Sequence, residues 1–263
     1  MARAPLIRPT DAPPRAHDLE APAATASFAP EAAANPTDVP RHIAIIMDGN
    51  RRWARARGVS EIDGHAAGVE AIREILRHAV RCGIPVLTLY AFSRENWART
   101  DEEVVGLFGL LEQAIRSETE ELRAQGVQVR LLGRLDELPG ATRASIESAL
   151  AATAGGSRMR LNIAFNYAGR TELVDAVRAI VRTDPDPETI DESTIAAALY
   201  TAGLPDPDLV IRTGGEHRLS NFLIWQSAYA EMLTSDTLWP DFGPAQLDEA
   251  LAEYASRTRR FGR

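Results

Sequence analysis

No lysine occurs anywhere in this chain of 263 residues, so all 29 of its cations are arginines. That bias carries no mechanism by itself, but it removes the lysine on which the G-x-x-x-x-G-K-[ST] phosphate loop depends. No G-x-G-x-x-G follows a strand-like run either, so nucleotide hydrolysis and hydride transfer both lose ground. A single cysteine, Cys82, excludes an internal disulfide and fits a reducing cytoplasm. Its apolar, helix-end surroundings read as a structural thiol rather than a nucleophile. No apolar run approaches the ~18 residues of a membrane span, and the N-terminus lacks a signal-peptide hydrophobic region. These absences predict a soluble cytoplasmic protein, with room for peripheral contact with a membrane or lipid. The net charge of −8 argues against a broad nucleic-acid surface while leaving a local basic pocket open.

Residues 1–40 contain twelve alanines and eight prolines, half of the segment. Such a stretch cannot repay its ordering entropy and is expected to be a disordered tail, leaving 41–263 as one catalytic domain. From there the pattern alternates. Strand-like runs fall at 42–47, 85–92, 127–133, 159–169 and 207–215. Helical spacing falls at 68–83, 101–126, 139–153, 171–183, 193–203 and 245–260. The long helix from 101 sets Val104, Leu107, Phe108, Leu111, Ile115 and Leu122 on one stripe. Near-continuous apolar strands alternating with helices predict an α/β fold with a central, mostly parallel sheet covered on both faces.

In such sheets reactive residues gather at the carboxyl edge of the strands. Four polar clusters are expected there: Asp48-Gly49-Asn50, Ser93 to Trp97, Asn166-Tyr167, and Arg212-Thr213-Gly214-Gly215. In MDGNRRWA, a glycine after a strand turns amides toward an anion, and a helix start adds positive potential. Arg51 and Arg52 offer forked donors to phosphate oxygens. Asp48 makes sense beside phosphates if it holds Mg²⁺. Taken alone, the stretch reads more simply as an Asp-Gly turn with solvated arginines.

His65, in GHAAG, reads equally as a phosphate donor near a helix start or as a capping or packing residue. In FSRENWAR, Thr100 caps the following helix, which leaves a half-exposed Trp97 beside Asn96 and Arg99 unexplained. In the run 211–231, Arg212, Arg218 and Ser220 look like a second anion site. Glu231 ends an apolar stretch, where a carboxylate needs a cation or metal. Zinc spacing is missing there, and oxygen ligation suits Mg²⁺ better, with His217 an unusual extra ligand.

HIAIIMDGNRRWA, GHAAG, YAFSRENWAR, LNIAFNYAGR, DLVIRTGGEHRLSNFLIWQSAYAE, LWPDF and RRFG occur in this order. Together they resemble the cis-prenyltransferases, the undecaprenyl or decaprenyl diphosphate synthase family, over residues 40–262. The resemblance implies a mostly parallel sheet flanked by helices, an apolar substrate tunnel and a homodimer. It implies Mg²⁺-dependent condensation of isopentenyl diphosphate with an allylic diphosphate such as farnesyl diphosphate. The product would be a cis-polyprenyl diphosphate, a lipid-carrier precursor for cell-wall synthesis.

Carried over residue by residue, Gly49, Asn50, Arg51, Arg52 and His65 hold the allylic diphosphate, with Trp53 and Glu61 among its contacts. Asp48 is the essential acid and a metal ligand, joined by Glu231. Arg212, Arg218 and Ser220, with Leu219 alongside, hold isopentenyl diphosphate. Ser93, Arg94, Glu95, Asn96, Trp97 and Arg99 line the meeting point, with Asn96 a participant in proton removal. Arg260-Phe261-Gly262 resembles the family's C-terminal Arg-x-Gly, which reaches across the dimer.

Two positions depart from the pattern. Glu61 stands where the family often has arginine, and Arg94 replaces a small hydroxyl residue and would compensate. The DDxxD pairs of trans-prenyl synthases are missing. Phe108 and Leu111 narrow a tunnel on one reading and are ordinary core on the other. A paralogue with a short or irregular product, a non-catalytic partner subunit and a generic phosphate-binding enzyme remain as alternatives. Retention of Asp48, both arginine clusters, Asn96 and Glu231 argues against the partner subunit.

Overall fold

The computed structural model describes residues 39–257. The expected tail, apart from Val39 and Pro40, and the Arg260-Phe261-Gly262 motif lie outside the described residues.

Six strands form one sheet: β1 (His42–Ile46), β2 (Val86–Ser93), β3 (Val127–Leu132), β4 (Met159–Tyr167), β5 (Leu209–Arg212) and β6 (Glu231–Thr234). Their order is β3-β4-β2-β1-β5-β6, and every neighbouring pair is parallel. Seven α-helices accompany them among the described residues: α1 (Asn50–Arg57), α2 (Glu61–Arg81), α3 (Asp101–Ala124), α4 (Gly140–Thr153), α5 (Gly169–Arg182), α6 (Glu192–Ala198) and α7 (Pro244–Ser256).

All five residues of β1 are buried, as a central strand covered on both faces requires. Side chains alternate across it. Ile43 and Ile45 join Ile75, Leu76, Trp239 and Leu247 in one core layer. Ala44 and Ile46 join Val210, Tyr167, Phe222 and Leu223 in the other. A third cluster of Phe92, Trp97, Phe108, Ile146 and Phe165 fills the space between the β2–β4 edge and α3–α4.

The structure departs from the sequence expectations in four places. Helix α2 starts at Glu61 rather than 68, because Ser60 and Asp63 cap it reciprocally. The Asp63 amide donates to Ser60 Oγ at 3.1 Å, and the Ser60 amide donates to Asp63 Oδ2 at 3.1 Å. Helix α1 forms its own two-turn element between Gly49 and Gly58. Helix α6 stops at Ala198 instead of running to 203. The apolar stretch before Glu231 is a series of turns, and Glu231 opens the sixth, unpredicted strand.

Candidate active site

Parallel pairing brings the ends of β1, β2, β4 and β5 to one rim. Ile46 lies opposite Tyr90 of β2 and Arg212 of β5, so the residues following each strand meet. Gly49 turns the chain from β1 into α1 with φ of 117°, and a Cβ there would stand 2.9 Å from the Leu238 side chain. Glycine is therefore required at this turn. The first-turn amides of α1 have no intrahelical partner, as at any helix start, and Gly49 offers no side-chain cap for them, which is the arrangement that suits an anion. α2 crosses this turn closely: a Cβ on Gly64 would stand 2.4 Å from the Asn50 carbonyl oxygen. That approach sets His65 against Asn50, with Asn50 Nδ2 and His65 Nδ1 3.2 Å apart.

Asp48 is the hub. Its amide donates to Thr213 Oγ1 at 2.9 Å, and the Thr213 hydroxyl donates to the Asp48 carbonyl at 2.7 Å. Arg212 Nη2 donates to Asp48 Oδ2 at 2.8 Å, and Arg52 Nη2 lies 3.3 Å from Oδ1. The Arg212 side chain is only 4% exposed. Its Nη1 donates to the Arg218 carbonyl at 2.6 Å and to Ser220 Oγ at 2.7 Å. In this state Arg212 positions Asp48 and the 218–220 loop. Arg52 also donates to the Gly214 carbonyl at 2.7 Å, joining α1 to the loop after β5.

That loop is strained. Ser220, Asn221 and Leu223 have φ of 49°, 63° and 42°, values that side-chain-bearing residues adopt at a cost. Asn221 repays part of it by donating to Glu95 Oε1 at 2.8 Å and accepting the Arg170 amide at 2.9 Å. Glu95 is thus a loop anchor. Arg218 is exposed and pairs with Glu216. Leu219 packs partly buried against the second core layer.

The turn after β2 holds the third cluster. The Ser93 amide donates to Asn96 Oδ1 at 2.9 Å. Arg94 does not reach toward Glu61 as a compensating cation, because Glu137 takes it in an ion pair, both side chains largely buried. Glu137 also accepts Asn166 Nδ2 at 2.9 Å and Arg134 Nη1 at 2.9 Å. Burial raises Glu137, but hydrogen bonds from Arg94, Asn166 and Arg134 outweigh it and hold the carboxyl below its ordinary value.

Trp97 is not half-exposed. It is 7% accessible, packs edge-on to Phe92 with centroids 5.6 Å apart, and donates Nε1–H to Asn166 Oδ1 at 2.8 Å. The buried indole therefore shapes the site from behind. Arg99 donates to Glu103 Oε1 at 2.6 Å, and His65 Nε2 lies 3.5 Å from the same oxygen. Burial, with the Arg99 cation second, lowers the His65 pKa, so the ring is neutral at pH 7.

Glu61 does not meet the rim as a free charge. Its carboxylate takes Arg51 Nε at 2.8 Å and Arg55 Nη2 at 3.1 Å. Trp53 faces away: its Nε1 donates to Asp241 Oδ1 at 2.8 Å, and Arg57 stacks 4.1 Å over its ring. Glu231 is not brought to Asp48 within the chain. It pairs in register with Leu209, at the far end of β5 from Arg212, on the order of 10 Å along the strand direction. Its carboxylate accepts Arg257 Nη1 at 2.7 Å. The residues that sequence reasoning missed are the supports Glu103, Glu137 and Asn221. Their partners His65, Arg94 and Glu95 lie 38, 43 and 126 positions away, so local pattern carried no sign of those pairings.

Two observations suit a ligand with a polar head and an apolar body. Asn50 Oδ1, His65 Nε2 and Arg212 Nε are buried without a hydrogen-bond partner. An apolar cavity of about 200 Å³ abuts Asn50 and His65 but not Arg212, its lining running on through Ile72, Leu111 and Ile115 to Phe165. As to Mg²⁺, Asp48 is a hard oxygen donor of the right kind. Both its oxygens face arginines, and Glu231 adds no ligand within the same chain.

A rim of arginines and a glycine-opened helix start beside an apolar cavity, at the carboxyl edge of a parallel sheet, has the chemistry to take an amphiphilic anion. Residues 46–262 match the family model described as "Putative undecaprenyl diphosphate synthase". The chain belongs to this isoprenyl transferase family. It is 49% identical to an isoprenyl transferase of Heliobacterium mobile over 87% of this chain and 89% of that protein. It is 51% identical to an isoprenyl transferase of Brucella abortus over 85% and 89%. The crystal structure of lavandulyl diphosphate synthase from Lavandula x intermedia, in complex with dimethylallyl diphosphate, is similar with a TM-score of 0.83. It shares 38% identity over 86% of this chain and 99% of that one. A probable undecaprenyl diphosphate synthase from Campylobacter jejuni gives a TM-score of 0.73 and 30% identity over 85% and 99%.

Proposed function

We propose that this enzyme condenses isopentenyl diphosphate with an allylic prenyl diphosphate, extending the chain with cis geometry. The observation that carries the reading is the junction of the anion-binding rim with the apolar cavity at Asn50 and His65. The α1 amides, Arg51, Arg52 and neutral His65 hold the allylic diphosphate, while its hydrocarbon tail lies in the cavity. Arg218, Ser220 and the strained loop hold isopentenyl diphosphate. The C–O bond to the allylic carbon breaks, a C–C bond forms to isopentenyl diphosphate, and one proton and one inorganic diphosphate leave. Donors fixed in advance stabilise the departing charge more than the ground state. The apolar walls keep water from the electron-poor allylic carbon.

Asp48 would hold Mg²⁺, which supplies Lewis-acid neutralisation of the leaving diphosphate. Arg212 and Arg52 hold the Asp48 carboxylate ready for it. Glu231 would serve a metal only from a second copy of the chain, which agrees with a homodimer. Asn96, whose side-chain oxygen accepts the Ser93 amide at 2.9 Å, is held at the turn, where it takes part in removing the proton from the condensed chain.

One observation favours a second reading of the product as short or irregular: the Phe92, Phe108 and Phe165 rings pack together beside the cavity. The test is labelled isopentenyl diphosphate with Mg²⁺ and dimethylallyl, geranyl or farnesyl diphosphate, followed by product length and double-bond geometry. A ladder of cis-extended products supports elongation. A single condensation product identifies the short-product enzyme, and no product with any primer defeats the proposal.

A further inference from the structure

Among the described residues one group of metal-ligating side chains stands away from the rim: His78, Cys82 and Asp248. His78 and Cys82 are four residues apart at the C-terminal end of α2, so they share one face of the helix. Asp248 comes from α7, which packs against α2. An imidazole nitrogen, the thiol sulfur and a carboxylate oxygen all lie within 4.8 Å of one another. His78 Nε2 and Asp248 Oδ1 are already 2.6 Å apart. Tetrahedral zinc with bonds of about 2.0–2.3 Å separates its donors by about 3.3–3.8 Å. Side-chain rotation of about 1 Å therefore closes the trio on an ion. The cluster lies about 20 Å along α2 from His65, well clear of the rim.

We propose that His78, Cys82 and Asp248 bind a thiophilic divalent cation, Zn²⁺ in preference to Mg²⁺, that ties α2 to α7. A mixed sulfur, nitrogen and oxygen set suits zinc, whereas Mg²⁺ requires oxygen donors. Asp248 is 59% exposed and His78 14%, so the ion and a water in the fourth position enter from the Asp248 side.

The proton count closes. Arg81 Nη2 donates to His78 Nδ1 at 3.0 Å. A guanidinium accepts nothing, so the ring proton sits on Nε2 and is donated to Asp248. Metal on Nε2 takes that place, and the ring proton moves to Nδ1. Arg81, which is exposed, turns to solvent. The Cys82 thiol releases one proton on becoming a thiolate. Arg81 opposes binding, both by its charge and by occupying Nδ1.

Because Cys82 is the only cysteine of the chain, a thiolate-to-cobalt charge-transfer band can arise from one place only. The full-length protein, reduced and freed of metal by chelation, is titrated with Co²⁺ alone. About one equivalent should produce that band, and added Zn²⁺ should bleach it. Cys82→Ser should abolish the band, and His78→Ala and Asp248→Asn should each weaken binding about tenfold or more. Arg81→Gln should tighten it, a gain that unfolding cannot mimic. No band at equimolar Co²⁺ in the parent protein overturns the proposal. So does a band that survives His78→Ala and Asp248→Asn unchanged, since that marks a thiol acting alone.

Discussion

Replacing Asp48 by asparagine separates its work on substrate from its work in the fold. Asparagine keeps the shape and an acceptor oxygen but loses the charge. Arg212 then loses its strongest partner while keeping the Arg218 carbonyl and Ser220 Oγ. Because that guanidinium is 4% exposed, the loss of one charge-assisted hydrogen bond costs about 1.5–3 kcal/mol. The Arg52 pair adds only about 0.2–1 kcal/mol, since Arg52 is 45% exposed and screened. The sum, about 2–4 kcal/mol, is smaller than the stability of most domains of this size. Urea unfolding should show a lower midpoint with an unchanged slope. Turnover with an allylic primer and isopentenyl diphosphate should fall at least about a hundredfold, the scale of losing a main electrostatic element. Turnover within a few-fold of the parent would refute a chemical role for Asp48. An unchanged urea midpoint would instead refute the Arg212 pairing.

Other outcomes follow from the same contacts. Glu61→Gln releases Arg51 and Arg55 toward the allylic diphosphate, so its KM should fall by up to about fivefold with turnover little changed; a rise in KM contradicts this. Trp97→Phe keeps the aromatic packing but leaves Asn166 Oδ1 without its donor, costing about 1–3 kcal/mol in chemical denaturation; no loss would show that the hydrogen bond carries nothing. Burial pushes His42 down to about 4. The unfolded chain therefore binds the extra proton between its ordinary value near 6.5 and that figure, and stability falls as pH falls through that window, by about 2 kcal/mol at pH 5. Calorimetry of His42→Gln should show a shallower loss between pH 7 and pH 5, and an identical slope in both proteins would count against the assignment.

The central strands were legible because burial on both faces leaves an unbroken apolar run, as HIAII shows. β6 was not, because it lies at the sheet edge, only Leu233 of its four residues is fully buried, and it opens on a glutamate. The start of α2 was written in the Ser60–Asp63 spacing but was masked by Gly64 and Gly68, which exist for the close approach of α1. The rim was legible as four clusters because parallel strands present their ends together. Their pairings were not. Trp97 finds its acceptor 69 residues away on β4, and Arg212 meets Asp48 across 164 residues through the β1–β5 register. Arg94 looked like a compensating cation because Glu137, its actual partner, lies 43 residues on.

The most direct measurement of the central claim is a count of inorganic diphosphate released against isopentenyl diphosphate consumed, in the same reaction, with Mg²⁺ and farnesyl diphosphate. Condensation at this rim predicts one diphosphate for each isopentenyl unit, with both rates falling together in Asp48→Asn. Diphosphate release without consumption of isopentenyl diphosphate, or consumption that Asp48→Asn leaves intact, would contradict it.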